Sequence, residues 1–97
     1  MGDAPEIVDN GGRGRFELAD APDQGYLEYR RSGDTLTLVH TQVDDDLEGQ
    51  GVGSALVREA LAAGEEQGLT IVPQCPFVAS WLERHPDRAA ELDISQP

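Results

Sequence analysis

The chain has 97 residues, about two-thirds of an average domain, which leaves room for one modest core and argues against a two-domain enzyme. Hydrophobic residues make up 38%, and no apolar run approaches the roughly 18 residues of a membrane-spanning helix, so a soluble globular chain with no transmembrane segment is expected. Seven arginines, no lysine and nineteen acidic residues give a formal charge of −12, which argues against binding a nucleic-acid backbone and rules out Schiff-base chemistry on a lysine.

Residues 1–14 are rich in Gly, Asp and Pro, so the first ten or so are expected to form a loose arm, with order beginning near Arg15. The opening Met1-Gly2-Asp3-Ala4-Pro5-Glu6 has neither the basic nor the apolar segment of an export signal, and Glu6 stands where a myristoylation signal needs Ser or Thr. A cytoplasmic protein is expected. The single cysteine, Cys75, permits no internal disulfide and suits that reducing compartment.

Arg15-Phe16-Glu17-Leu18 reads as a short strand, and Gly25-Tyr26-Leu27-Glu28-Tyr29-Arg30 as a second one after the turn at Ala21-Pro22-Asp23-Gln24. Thr35-Leu36-Thr37-Leu38-Val39-His40-Thr41-Gln42-Val43 is rich in β-branched residues and apolar on both parities, which predicts a central strand covered on both faces. After a polar loop over residues 44–50, residues 52–67 place Val52, Leu56, Ala60 and Ala63 on one helical line. Val57 and Leu61 lie beside that line, Arg58, Glu59, Glu65 and Glu66 fall opposite, and Gly68 is a natural stop.

Leu69-Thr70-Ile71-Val72 reads as a fourth strand, which completes a β-α-β unit expected to be parallel and right-handed. Residues 77–85 space Val78, Trp81, Leu82 and His85 as a helix, with Pro76 at its first position and Pro86 stopping it; one more short turn is expected beyond. The resulting expectation is a single α/β domain over residues 1–97: antiparallel N-terminal strands, one β-α-β crossover and a short C-terminal helix.

Gly49-Gln50-Gly51-Val52-Gly53 lies where a strand hands over to a helix, so backbone N–H groups and the positive end of a helix dipole converge there on a potential anion site. The same glycines also suit an ordinary helix start. No Lys follows them, which argues against nucleotide hydrolysis, and the unit is too short for a dinucleotide fold.

The stretch Leu47-Glu48-Gly49-Gln50-Gly51-Val52-Gly53-Ser54-Ala55-Leu56-Val57 resembles the acyl-CoA pyrophosphate loop and helix of the GNAT acetyltransferase superfamily. His40-Thr41-Gln42-Val43 before it, with Pro73-Gln74-Cys75-Pro76-Phe77-Val78 and Arg84-His85-Pro86 after it, resemble the short single-domain GNAT subfamily whose active site carries a cysteine. The likeness spans residues 36–86. It implies a compact GNAT-like fold and transfer of an acetyl group from acetyl-CoA to an amine, with no metal. It further implies that the backbone of Gly49, Gln50, Gly51, Val52 and Gly53, with Ser54, holds the pyrophosphate, while the edge of Thr41-Gln42-Val43 pairs with the pantetheine arm. The chain departs from the pattern at Glu48, where the superfamily has Arg or Gln, and at Gln42, where the subfamily has an acidic residue.

Cys75, between the fourth strand and Pro76, is expected near a helix start, where the dipole favours negative charge; the plainer alternative is a small buried apolar residue. With the resemblance it becomes a catalytic candidate, as acyl acceptor or as proton donor to the departing CoA thiolate. His40 shares strand parity with Leu36, Leu38 and Gln42 and is a candidate base for the incoming amine, against a purely structural role. His85 is expected to end its helix and Trp81 to sit in the core. No tyrosine takes the general-acid place of many GNAT enzymes, and Cys75 is its natural substitute. The acidic surface suits a protein or polyamine acceptor. The alternatives are a non-catalytic acyl-CoA-binding module and an acidic protein-interaction module.

Overall fold

The computed structural model describes residues 5–96. Five strands form one mixed sheet in sequential order: β1 Ile7–Asn10, β2 Arg15–Leu18, β3 Gly25–Ser32, β4 Thr35–Val43 and β5 Thr70–Pro73. The helices are α1 Val52–Glu66, α2 Pro76–Arg84 and α3 Pro86–Ala89. Neighbours from β1 to β4 are antiparallel, whereas β5 runs parallel to β4 after the α1 crossover. This is the expected α/β architecture, with one more strand than the sequence suggests.

The additional strand corrects the expectation of a loose arm over the first ten residues. β1 pairs with β2 from Ile7↔Leu18 to Asn10↔Arg15, and Ile7 packs against the core. The Tyr29 hydroxyl donates to Asp9 at 2.6 Å. Burial and this bond push the Tyr29 phenol up to about 12. Order therefore begins well before Arg15. Ile7 and Val8 are good strand formers, but two such residues set among Gly, Asp and Pro are too few to mark a strand, and the ladder partner is supplied from elsewhere in the chain. Residues 1–4 of the expected arm lie outside the described residues.

Helix α1 buries Val52, Leu56, Val57, Ala60, Leu61 and Gly64, while Arg58, Glu59, Glu65 and Glu66 stay exposed as the periodicity predicts. Gly64 allows a close approach to the sheet, since a Cβ there would come within 2.5 Å of Ile71 Cδ1. Gly68 ends the segment at φ +70°. Leu27, Leu38, Leu56, Leu61, Ile71, Val78 and Trp81 form the centre of the core, and burying each such side chain contributes about 1.5–3 kcal/mol. Among the described residues, no helix is long and apolar enough to cross a membrane.

β4 departs from its expected pattern in a way that determines the site. Only Leu36 and Leu38 are buried, so the strand is not covered on both faces. Its pairing with β3 runs Glu28↔His40 and then Tyr29↔Leu38, which leaves Val39 as an extra residue in a β-bulge. Beyond the bulge the alternation changes phase. Thr41, opposite the fully buried Leu27, and Val43, packed on the core, face the helix side. His40 and Gln42 face the other way, and His40 lies edge-on to Tyr26 with ring centroids 6.5 Å apart. His40 therefore does not share a face with Leu36 and Leu38, contrary to simple parity.

That outer face carries a buried ion pair. Arg15 Nε donates to Glu17 Oε2 at 2.6 Å, and each side chain is 7% exposed. Arg15 also bonds Asp23 at 2.7 Å and lies over the Tyr26 ring. The hydrogen bond from Arg15, then one from Asn10, holds the Glu17 carboxyl below its usual range.

Candidate active site

The parallel pairing of β4 with β5 covers only Thr35, Leu36, Thr37 and Leu38. β5 then ends at Pro73, and the Cys75 N–H donates to the Leu38 carbonyl at 2.8 Å, closing the ladder. Past that point β4 continues to Val43 with β3 as its one strand partner among the described residues. The Asp44 N–H donates to Gln24 O at 2.7 Å, and bonding alternates along an antiparallel ladder. The main chains of His40 and Gln42 are thus turned to β3, and those of Thr41 and Val43 to the side vacated by β5.

A cavity of about 490 Å³ opens against this edge, lined by Thr41, Val43, Leu47, Glu48, Gly49, Gly51, Val52, Gly53, Ser54 and Phe77. That volume falls within the range of small-molecule sites. Gly49 and Gly51 adopt φ +84° and +79°, and Gly51 is the N-cap of α1 with no side chain capping the helix. The first intrahelical bond runs from Ala55 N–H to Gly51 O, so the N–H groups of Val52, Gly53 and Ser54 precede the helical ladder. They stand at the positive end of a 15-residue helix.

Gly53 is needed for a second reason. A Cβ there would lie 2.8 Å from Phe77 Cζ, so the absence of a side chain lets the Phe77 ring close over the first turn of α1. Phe77, 38% exposed, is one wall of the cavity. Sequence reasoning passed over it. Its signal was available: it follows Cys75 by two residues and falls outside the Val78, Trp81 and Leu82 stripe that anchors α2.

Cys75 is the N-cap of α2, 3% exposed, and its Sγ lies 3.4 Å from Thr41 Oγ1 in the cavity wall. The fold thus joins Thr41, Val43, Gly49, Gly51, Val52, Gly53 and Ser54 around one space, with Cys75 buried behind Thr41. It does not bring in the others. Gln50 turns its N–H to Leu47 O at 3.3 Å and its side-chain amide to Asp46 O at 3.3 Å. The Gln42 side chain and His40 are on the outer face. His85 caps α2 as expected, with Nδ1 2.7 Å from Trp81 O and its ring stacked on Trp81 at 3.9 Å. Trp81 is buried in the core.

The electrostatics are those of a site built from amides. Its lining holds no Arg or His, and Glu48 brings a carboxylate to it, next to Asp44, Asp45 and Asp46 in the preceding loop. The chemistry on offer is a free strand edge, a fan of helix-start N–H groups, one hydroxyl-paired thiol and an aromatic wall.

A family model described as GCN5-related N-acetyl-transferase matches residues 15–92. Among solved structures, the chain is similar to the NMR solution structure of a GCN5-like protein from Staphylococcus aureus. The two are 25% identical with a TM-score of 0.72, over 95% of this chain and 89% of that one.

Proposed function

This chain belongs to the GCN5-related N-acetyl-transferase family, a family of acyltransferases, and from that premise we propose that it moves an acetyl group from acetyl-CoA to an amine, acting as one minimal domain. One observation carries the reading: the unpaired edge of β4 and the uncapped first turn of α1 line the same cavity, with the Cys75 sulfur 3.4 Å from Thr41 in its wall. An extended amide-bearing arm fits a free strand edge, and phosphates fit a helix start.

In this reading the main chains of Thr41 and Val43 hold the pantetheine arm. The N–H groups of Gly51, Val52, Gly53 and Ser54 hold the pyrophosphate over the Gly49 turn. Bound acetyl-CoA supplies the activated acyl thioester. Cys75 serves that end of the cavity, as acyl acceptor or as proton donor to the departing thiolate. His40 lies on the opposite face of β4 from this cavity, against Tyr26, and takes no part in this reading of the transfer. A cationic acceptor, a protein amine or a polyamine, suits a chain of net charge −12.

The test is an acetyl-CoA titration of the wild type and Cys75→Ala, followed through the single Trp81 and through thermal stability, with intact-mass analysis of rapidly quenched samples. Both proteins are expected to bind, with ligand at 100 times its dissociation constant adding about 2.7 kcal/mol of stability. An acetyl adduct on the wild type alone identifies Cys75 as acyl acceptor; turnover of amines with no adduct identifies direct transfer. Binding with no adduct and no turnover would leave a non-catalytic acyl-CoA module, the reading that Glu48 in the cavity lining favours. No binding at any salt would reduce the glycine loop to a helix start and the chain to an acidic interaction module.

A further inference from the structure

The cavity wall contains one side-chain contact between two elements that the sheet itself does not join. Thr41 Oγ1, on β4 beyond the bulge, lies 3.4 Å from Cys75 Sγ at the start of α2. The main chain of Cys75 is fully engaged, its N–H with Leu38 O at 2.8 Å and its carbonyl with Ala79 N–H at 3.0 Å. Its side chain makes no capping bond to the first turn of α2. The buried sulfur thus meets Thr41, which does line the cavity, rather than its own helix. Sulfur is a weak donor, whereas a hydroxyl donates well, and a sulfur that has lost its proton is a strong acceptor.

We propose that Thr41 is the positioning residue for Cys75: its hydroxyl donates to Sγ, holds the sulfur directly behind the cavity wall and steadies it when it carries negative charge. The Val39 bulge is what makes this possible, because regular alternation would present His40 and Gln42 here instead. The proposal deepens the acetyltransferase reading and rests on it for its purpose. The contact itself can be tested without acetyl-CoA.

Cys75 is the only cysteine of the chain, so alkylation reports on one sulfur. The experiment is the rate of iodoacetamide addition at constant pH, read by intact mass, for the full-length wild type, Thr41→Val and Thr41→Ser, each with its melting temperature. Thr41→Val keeps the side-chain shape and removes the hydroxyl. It is expected to react about tenfold or more slowly, the size of a lost hydrogen bond to a charged group. Thr41→Ser is expected within about threefold of the wild type. If Thr41→Val does not fold, Thr41→Ser is compared with Thr41→Ala, which differs from it by the hydroxyl alone, and the same ratio is expected.

A valine variant that reacts as fast as the wild type or faster overturns the proposal. So does a serine variant as slow as valine, since packing rather than the hydroxyl would then be responsible. Failure of acetyl-CoA to bind while these rates follow the expected order would remove the acetyltransferase reading and leave the Thr41–Cys75 pairing in place.

Discussion

The two halves of β4 have different neighbours. Residues 35–38 are bonded to β3 on one side and β5 on the other, and they bury Leu36 and Leu38 at 3% and 0% exposure. Residues 40–43 are bonded to β3 alone, and none of them is buried. One strand thus serves as core over its first half and as a free edge over its second. A sheet satisfies its own backbone wherever both neighbours persist, so a strand edge is offered to a ligand only where a ladder runs out, here after Pro73. The change of neighbour coincides with the Val39 bulge, which also changes which side chains face inward.

The largest effect that would test this division is in the first half. Leu38→Ala is expected to destabilise the fold by about 2–5 kcal/mol in denaturant unfolding. Val43→Ala, in the second half, is expected to cost less stability while weakening acetyl-CoA binding in the still-folded protein. Equal stability losses from the two would erase the distinction between core half and edge half. Deletion of Val39 should sharpen it. The pairs Glu28↔His40 and Tyr29↔Leu38 would become consecutive, so Thr41 and Val43 keep facing the helix side and His40 and Gln42 the outer face. Acetyl-CoA affinity is expected to stay within about tenfold of the wild type by calorimetry, roughly 1.4 kcal/mol, because the same side chains meet the cavity. A complete loss of binding in the folded variant would show that the bulge shapes the edge itself and does more than set the side-chain phase.

The smallest effect belongs to the far wall of the cavity. Glu48→Gln removes the carboxylate from a lining that contains no arginine. A single unpaired charge near a phosphate in water is worth about 1 kcal/mol, so acetyl-CoA should bind about two- to fivefold more tightly at low salt. The gain should fade toward 1 M salt, where the screening length is about 3 Å. A substitution that weakens binding instead would show Glu48 to be a contact rather than a source of repulsion.

Much of this was legible in the chain because the signals are local. β4 occupies the predicted residues 35–43 and α1 ends one residue before the predicted 67, since β-branched content, 3.6-residue spacing and a positive-φ glycine act within a few residues of themselves. Pro76 at the start of α2 and His85 at its end followed from the same short-range rules. The cavity was legible through its glycines, whose spacing marks a backbone able to approach a ligand, and Cys75 through its place between a strand and a proline.

The remainder depended on partners. β1 became a strand because β2 offered a ladder, which four residues set among Gly, Asp and Pro cannot announce. Arg15 and Glu17 are buried on a short strand because each supplies the other's hydrogen bonds and Tyr26 covers them. The side chains of His40 and Gln42 face away from the cavity, and that of Thr41 faces Cys75, because β3 and β4 pair with one residue to spare at Val39. The sequence by itself determined where the helices and most strands lie and which glycine loop opens a helix, since propensity, periodicity and glycine conformation are properties of neighbouring residues. Only the tertiary structure decided which side of β4 faces Cys75, because a bulge exists only between two paired strands, and a strand's alternation says nothing about where its partner slips.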